Sequence, residues 1–371
     1  MKTEKPDTYC LSVAYMARRK VKLGFFLLLV TLAGYSYIPA SRAAEPKPRY
    51  GRVLVVANRL SPASLELASQ YCRRRLIPPA NILKLSFADQ INISTSAFRE
   101  KLLKPIRERY RKLDEVPDYV VLVRGVPYRT GRIATTTAIL FNGSENLRPI
   151  HGYFQRLETF DSSIPYFGER LLPATVLSAY NVQEGMELIK RSEVVYPNPA
   201  DAGTFYFCDG AGPRGSRNRQ IESAMAQLQG EGVKAEHVKH PSLENRHDVL
   251  AQLTGNTRLS LESNTYLPGS IIDNMTSWGG YLLGKKPHNS ALTFIAHGAC
   301  GAYGTVYEPT NNPRRWAAYT LPLSYARGFN LAESYLQNVR DLKFGTVVGD
   351  PLTRPFGKPQ MDRVTVLKLG R

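Results

Sequence analysis

His297 and Cys300 stand three residues apart in AHGACGAYGTVYEP, residues 296–309, and such a pair could supply a thiol nucleophile and its base. That chemistry needs the base within hydrogen-bond reach of the sulfur and an oxyanion donor nearby. The glycines point to a plainer geometry. Gly298 fits the cap of a helix ending at His297, where a histidine suits the helix dipole. Cys300 then opens a strand with its thiol directed into the core. A second motif, GAGPRG at 210–215, is a literal GxGxxG followed by Glu236 at the spacing of a ribose-binding acid. Its surroundings argue against a dinucleotide: Asp209 would face the pyrophosphate, and Ser216-Arg217-Asn218-Arg219 is polar where a helix must pack on a sheet. A surface strand-to-helix loop without NAD is expected. His237, His240 and His247 lie close in sequence but lack HExxH spacing, and on a strand positions 237 and 240 face opposite sides. No metal and no cofactor are expected.

The 371-residue chain is 43% hydrophobic and carries a formal charge of +18, a globular composition long enough for a sizeable core. Residues 1–43 have the shape of a signal peptide. Arg18, Arg19, Lys20 and Lys22 precede the apolar LGFFLLLVTLAGY, and Ser41-Arg42-Ala43 fits a cleavage site. Export to the periplasm or the outside is expected, with an N-terminal anchor if the signal stays uncleaved. Seven basic and two acidic residues of this segment account for five of the +18, leaving +13 on the mature chain. Arg73-Arg74-Arg75 and RERYRK at 107–112 read as solvated basic helix faces. In an exported protein such charge favours an envelope protein or anionic polymer over nucleic acid. Cys72, Cys208 and Cys300 are too few and too scattered for a disulfide framework. Nothing in the sequence fixes the oligomeric state.

These residues need a scaffold, and the mature chain alternates strand and helix. RVLVVA (52–57), NILKLSF (81–87) and DYVVLVRGVP (118–127) are apolar strands. Between the first two, Ser61 caps a helix with Pro62 at its first position. Ser94 opens the next helix, which Pro105 can kink. This order predicts an α/β protein with a mainly parallel sheet and helices on both faces. An irregular insertion is expected at 131–172. It divides an N-terminal α/β subdomain (50–172) from a C-terminal one (173–371). In the latter, strands are expected at ATVLSAY, TFYFCD, VKAEHV, GAYGTVYE and VTVLKL. Helices are expected at VQEGMELIKRSEVV, RQIESAMAQLQGEG, 244–253, SALTFIAH, 316–327 and 331–339, with a loop-rich stretch at 254–289. In an open parallel sheet the C-terminal strand ends form one rim and carry the ligand. That rule places Asp273, Thr276, Ser277, Glu308 and Asp350 on the rim as candidate acids and hydroxyls, with Asn58, Arg59 and Arg124 as candidate ligand-binding groups.

Several blocks resemble a family of exported bacterial proteins found chiefly in species carrying exosortase. They are VLVVANRLSPASLELASQYCRRRLIPPANI (53–82), DYVVLVRGVPYR (118–129), YLPGSIIDNMTSWGG (266–280), GAYGTVYEP (301–309) and RGFNLAESYLQNV with GTVVGDPLTRPF (327–356). The C-terminal half, through GTVVGDPLTRP, is similar to gingipain-type cysteine peptidases of caspase-like fold. That resemblance sets Asn256, after the strand ending LTG, where the peptidases carry the base. It sets DNMTSWGG (273–280) at their cysteine loop, which here has no cysteine. It therefore implies a caspase-like scaffold without the dyad. The expected function is binding of an envelope partner or anionic ligand in an exosortase-linked surface pathway. The alternatives are a hydrolase or transferase working through Asp273, Ser277, Glu308 and Asp350, and a cysteine peptidase working through His297 and Cys300.

Overall fold

The computed structural model describes residues 52–113, 116–143, 165–166, 169–284 and 288–357. The signal segment expected at 1–43, the strand expected at VTVLKL and most of the 131–172 insertion lie outside them. The strands in chain order are β1 (Val53–Asn58), β2 (Ile82–Leu85), β3 (Asn92–Ile93), β4 (Tyr119–Val123), β5 (Arg129–Thr130), β6 (Ile133–Ala134), β7 (Pro165–Tyr166), β8 (Glu169–Arg170), β9 (Ala174–Leu177), β10 (Thr204–Cys208), β11 (Ala235–Val238), β12 (Val249–Thr254), β13 (Tyr266–Asn274), β14 (Gly301–Thr305) and β15 (Gly345–Gly349). Ten of them form one sheet, ordered β11-β10-β12-β13-β14-β15-β9-β4-β1-β2. The fold is α/β with a mostly parallel sheet, as the alternation predicts. β1, β4, β9, β10, β12, β14 and β15 are buried along their whole length, the pattern of strands covered on both faces.

Local chemistry explains most of the elements. The Ser61 hydroxyl accepts from Ser64 N at 3.2 Å and caps the helix Pro62–Arg74. In the helix opened by Ser94, a π-helical stretch, Phe98–Leu103, precedes Pro105. The proline cannot donate an i→i−4 bond, and the wider turn absorbs the loss. The helix Ala291–Ala296 ends at His297 as its cap, followed by Gly298 at φ 109°.

Four expectations are corrected. Residues 249–253, expected within the helix at 244–253, belong to the central strand β12. The loop-rich 254–289 contains β13. Its Pro268-Gly269 lies at a bulge, where the pairing steps from Val249–Tyr266 to Ala251–Ile271. The described start of the insertion is ordered rather than irregular. Thr135, Thr136 and Thr137 sit buried in the helix Thr135–Leu140, and their hydroxyls bond Pro127 O, Thr346 Oγ1 and Leu342 O at 3.0, 2.9 and 2.8 Å. Arg75 is not on a solvated face: it is buried against Asp350.

The C-terminal ends of β1, β4, β9, β13 and β14 lie at one edge, although β15 runs antiparallel to β14 and meets β9 in a single parallel bridge, Val348–Val176. Two cross-links fix this. Tyr128 Oη, beyond β4, accepts from Leu282 N beyond β13 at 3.0 Å, and Arg129 Nη1 donates to Val306 O beyond β14 at 3.4 Å. β15 is antiparallel to β14, so Gly349 lies opposite Gly301 at the start of β14. Asp350 is therefore on the other edge of the sheet, which corrects its placement on the shared rim.

Candidate functional site

A cleft of about 480 Å³ opens at the rim where β1, β4 and β9 end, within the range of small-molecule sites, roughly 300–1,000 Å³. Its walls come from Asn58, Leu60, Ser61 and Pro62 after β1, Phe87 to Asp89 after β2, Arg124 and Gly125 after β4, and Ala179 and Tyr180 after β9. Leu282, Leu283, Gly284 and Leu292, from the segment between β13 and β14, close it from the far side. Tyr128 pins that segment through Leu282 N, and Tyr180 Oη meets Thr293 Oγ1 at 2.9 Å.

Of the three ligand-binding candidates, Asn58 and Arg124 line the cleft and Arg59 does not. Asn58 holds the cleft together. Its amide donates to Phe87 O and Gly125 O at 2.9 and 2.8 Å, and its carbonyl oxygen accepts from Leu60 N and Phe87 N, each at 3.1 Å. This ties β1, the β2 exit and the β4 exit into one unit and leaves the amide no free donor. Gly125 takes φ 86° in this turn, backbone that favours glycine. Arg59 reaches Lys84 O on the β2 side. Arg124 keeps its guanidinium free: among the described residues no group pairs with it.

The acid and hydroxyl candidates do not converge. Asp273 is fully buried and paired with the equally buried Arg217, which also donates to Ala317 O and Thr254 O at 2.6 and 2.5 Å and lies over the Tyr319 ring. Burial lifts the Asp273 carboxyl above its ordinary value, and the guanidinium pulls it back. Asp350, buried on the opposite edge, accepts from Tyr71 Oη at 2.7 Å, Arg75 Nε at 2.6 Å and Leu352 N at 2.9 Å. Only Ser277 and Glu308 meet, with Ser277 Oγ donating to Glu308 Oε1 at 3.2 Å. Thr276 is buried, and its hydroxyl lies 3.4 Å from His288 Nδ1, which also sits 3.1 Å from Ser277 O. None of these residues lines the cleft.

His297 and Cys300 do not form a pair. His297 Nδ1 lies 2.8 Å from Thr293 O and Nε2 lies 3.7 Å from Glu262 Oε1, while Cys300 Sγ accepts from Gly269 N at 3.0 Å. Burial pushes the Cys300 thiol up, against the pull of Arg191. Burial also pushes Cys72 and Cys208 up to about 12. A buried neutral thiol is a poor nucleophile. In the native protein at pH 8 these three cysteines are expected to resist iodoacetamide and to label fully in denaturant, read by peptide mass mapping. The sign of the linkage follows. Thiols whose folded pKa is raised give stability that is complete below the unfolded value, near pH 8.5, and is lost as pH climbs toward about 12.

The positions matched to the peptidase dyad are closed. Thr254 and Asn274 pair across β12 and β13, and just beyond, Asn256 N donates to Asn274 Oδ1 at 2.8 Å while Asn274 Nδ2 donates to Asn256 O at 2.9 Å. Gly210 and Gly215 of GAGPRG serve backbone packing, while Gly212 supplies a turn at φ 51°. A Cβ on Gly210 would come within 2.4 Å of Arg214 O, and one on Gly255 within 2.3 Å of the same atom. Asp209 is held by His237 Nε2 at 3.0 Å. Sequence reasoning missed Arg217, whose partner lies 56 residues away, and Asp89, which lines the cleft. Asp89's only signal was its place just past a strand end.

No family model matches the chain, and no curated protein matches it. Six chains of solved structures do. One, described as the structure of a protease, is 11% identical over 85% of this chain and 80% of its own, with TM-score 0.47. Another belongs to the Saccharomyces cerevisiae separase–securin complex: 9% identity over 67% of this chain and 17% of that one, with TM-score 0.35. Likeness at this level carries nothing about reaction, substrate or partner.

Proposed function

We propose that this is a binding protein without peptidase chemistry, exported to the cell envelope. It takes an anionic group in the cleft at the ends of β1, β4 and β9. The observation that carries the reading is Arg124: it lines a cleft whose frame is rigidly tied, and its guanidinium has no partner among the described residues. A cation left free in a concave site attracts an anion, and a charge-assisted hydrogen bond contributes about 1.5–3 kcal/mol. The mutual clamp of Asn256 and Asn274 supports the absence of a dyad. The resemblance to exported proteins of exosortase-carrying species suggests the envelope setting and a surface-protein pathway.

The test is binding of N-acetyl-leucine and its uncharged amide, followed by thermal shift. The carboxylate is expected to bind and the amide not, with Arg124→Gln weakening the carboxylate about tenfold or more. Equal binding of the two, or an unchanged affinity in Arg124→Gln, contradicts the reading. Export predicts a mature N-terminus at Ala44, read by N-terminal sequencing of the envelope fraction. A full-length chain in the cytosol contradicts it.

The hydrolase alternative rests on Ser277 and Glu308 alone, since Asp273 and Asp350 are locked in buried ion pairs. Ser277→Ala is expected to change neither N-acetyl-leucine affinity nor melting temperature by more than the measurement error, because the bond it removes is exposed.

A further inference from the structure

A lone cation would suit any anion, but the cleft is not purely cationic. Asp89 lines it together with Arg124. The two side chains make no salt bridge with each other, and neither makes one with any other described residue. An opposing carboxylate repels a simple anion and repels a multiply charged one more strongly. A ligand that brings both signs satisfies both groups at once.

Large apolar side chains share the walls with these charges: Leu60, Phe87, Leu282, Leu283 and Leu292. Two of these leucines are unusually open to water. Leu60 is 65% exposed and Leu283 41% exposed, both among the few large hydrophobic side chains so placed. They belong to opposite walls, one following β1 and the other in the segment after β13. Apolar area left in water at a concave site is covered favourably by an apolar group of a ligand.

We infer that the cleft takes a small zwitterion with an apolar side chain, an apolar amino acid or dipeptide. Its carboxylate lies on Arg124, its ammonium on Asp89 and its side chain between the leucines. This rests on the proposed anion-binding role of the cleft and specifies its ligand.

The full-length protein is titrated by calorimetry with leucine, Leu-Leu dipeptide, N-acetyl-leucine, which lacks the ammonium, and leucinamide, which lacks the carboxylate. Leucine or the dipeptide is expected to bind at least tenfold more tightly than either blocked compound. The tighter of the two tells whether the two charges are spaced for one residue or two. In Arg124→Gln the advantage of leucine over leucinamide disappears, and in Asp89→Asn its advantage over N-acetyl-leucine disappears. Both positions are at least partly exposed, and the wild-type panel decides even if a variant fails to fold. N-acetyl-leucine binding as tightly as leucine overturns the zwitterion but keeps the anion-binding cleft. Leucinamide binding as tightly as leucine, or no binding by any of the four, overturns both.

Discussion

Arg217→Met is expected to destabilise the protein by about 3–5 kcal/mol in urea unfolding, because it leaves Asp273 charged and unpaired in the core. Both side chains are completely buried, and Arg217 joins the loop after β10 to the end of β12, to Asp273 in β13 and to Ala317. Asp273 Oδ2 lacks a hydrogen bond even with Arg217 in place, and without Arg217 only the backbone hydrogen bond at Ala317 remains to hold the carboxylate's charge. The double variant Arg217→Met/Asp273→Leu is expected to recover much of the loss, since an apolar pair of similar volume often matches a buried ion pair. A cost below about 1 kcal/mol for the single change would mean that the pair is not the clamp described.

The second large effect is expected at Gly304. It lies in β14 directly beneath the backbone of the next segment, with Gly280 N donating to Thr305 O at 3.0 Å. A Cβ there would sit 2.1 Å from Gly279 C and 2.2 Å from Gly280 N. These neighbours are backbone, which cannot rotate aside, so Gly304→Ala must push the 279–280 segment outward. Overpacking of this kind costs about 1–3 kcal/mol and sometimes more. The same segment runs on to Leu282–Gly284, which closes the cleft, so N-acetyl-leucine binding should fall along with stability. Gly230→Ala is the control. Nothing lies within 4 Å of its Cβ, and alanine is the better residue in the helix Ile221–Gly230. If Gly304→Ala melts like the wild type and binds equally well, the close approach does not hold the cleft wall.

The strands and caps were legible because their causes are local. VLVVA and YVVLV are apolar throughout, Ser61-Pro62 is a helix start, and Gly298 ends a helix at His297. Arg124 was legible for the same reason: it follows an unbroken apolar strand, and strand ends carry ligands in parallel sheets. The failures share a cause of the opposite kind. β12 and β13 are set by pairing with each other, and the Pro268-Gly269 bulge is defined by its neighbours. A Cβ on Gly269 would come within 2.8 Å of Pro355 and 2.9 Å of Val194. Arg217 reads as a solvated helix start because nothing nearby in sequence announces a carboxylate in β13. Asp350 was set on the wrong edge because GTVVGD carries no sign of its direction, which the antiparallel pairing with β14 decides. The Thr135–Thr137 run reads as loop by propensity, yet its hydroxyls find partners across the chain and the run is helical.

The central claim is that the working site is the cleft at β1, β4 and β9 and not the strand ends matched to a peptidase dyad. Methyl spectra of the leucine-labelled chain, titrated with N-acetyl-leucine, test it most directly. Saturable shifts are expected at Leu60, Leu282, Leu283 and Leu292, and their loss in Arg124→Gln. Unmoved signals at these four leucines, or cleavage of a peptide substrate that survives Arg124→Gln, would contradict it.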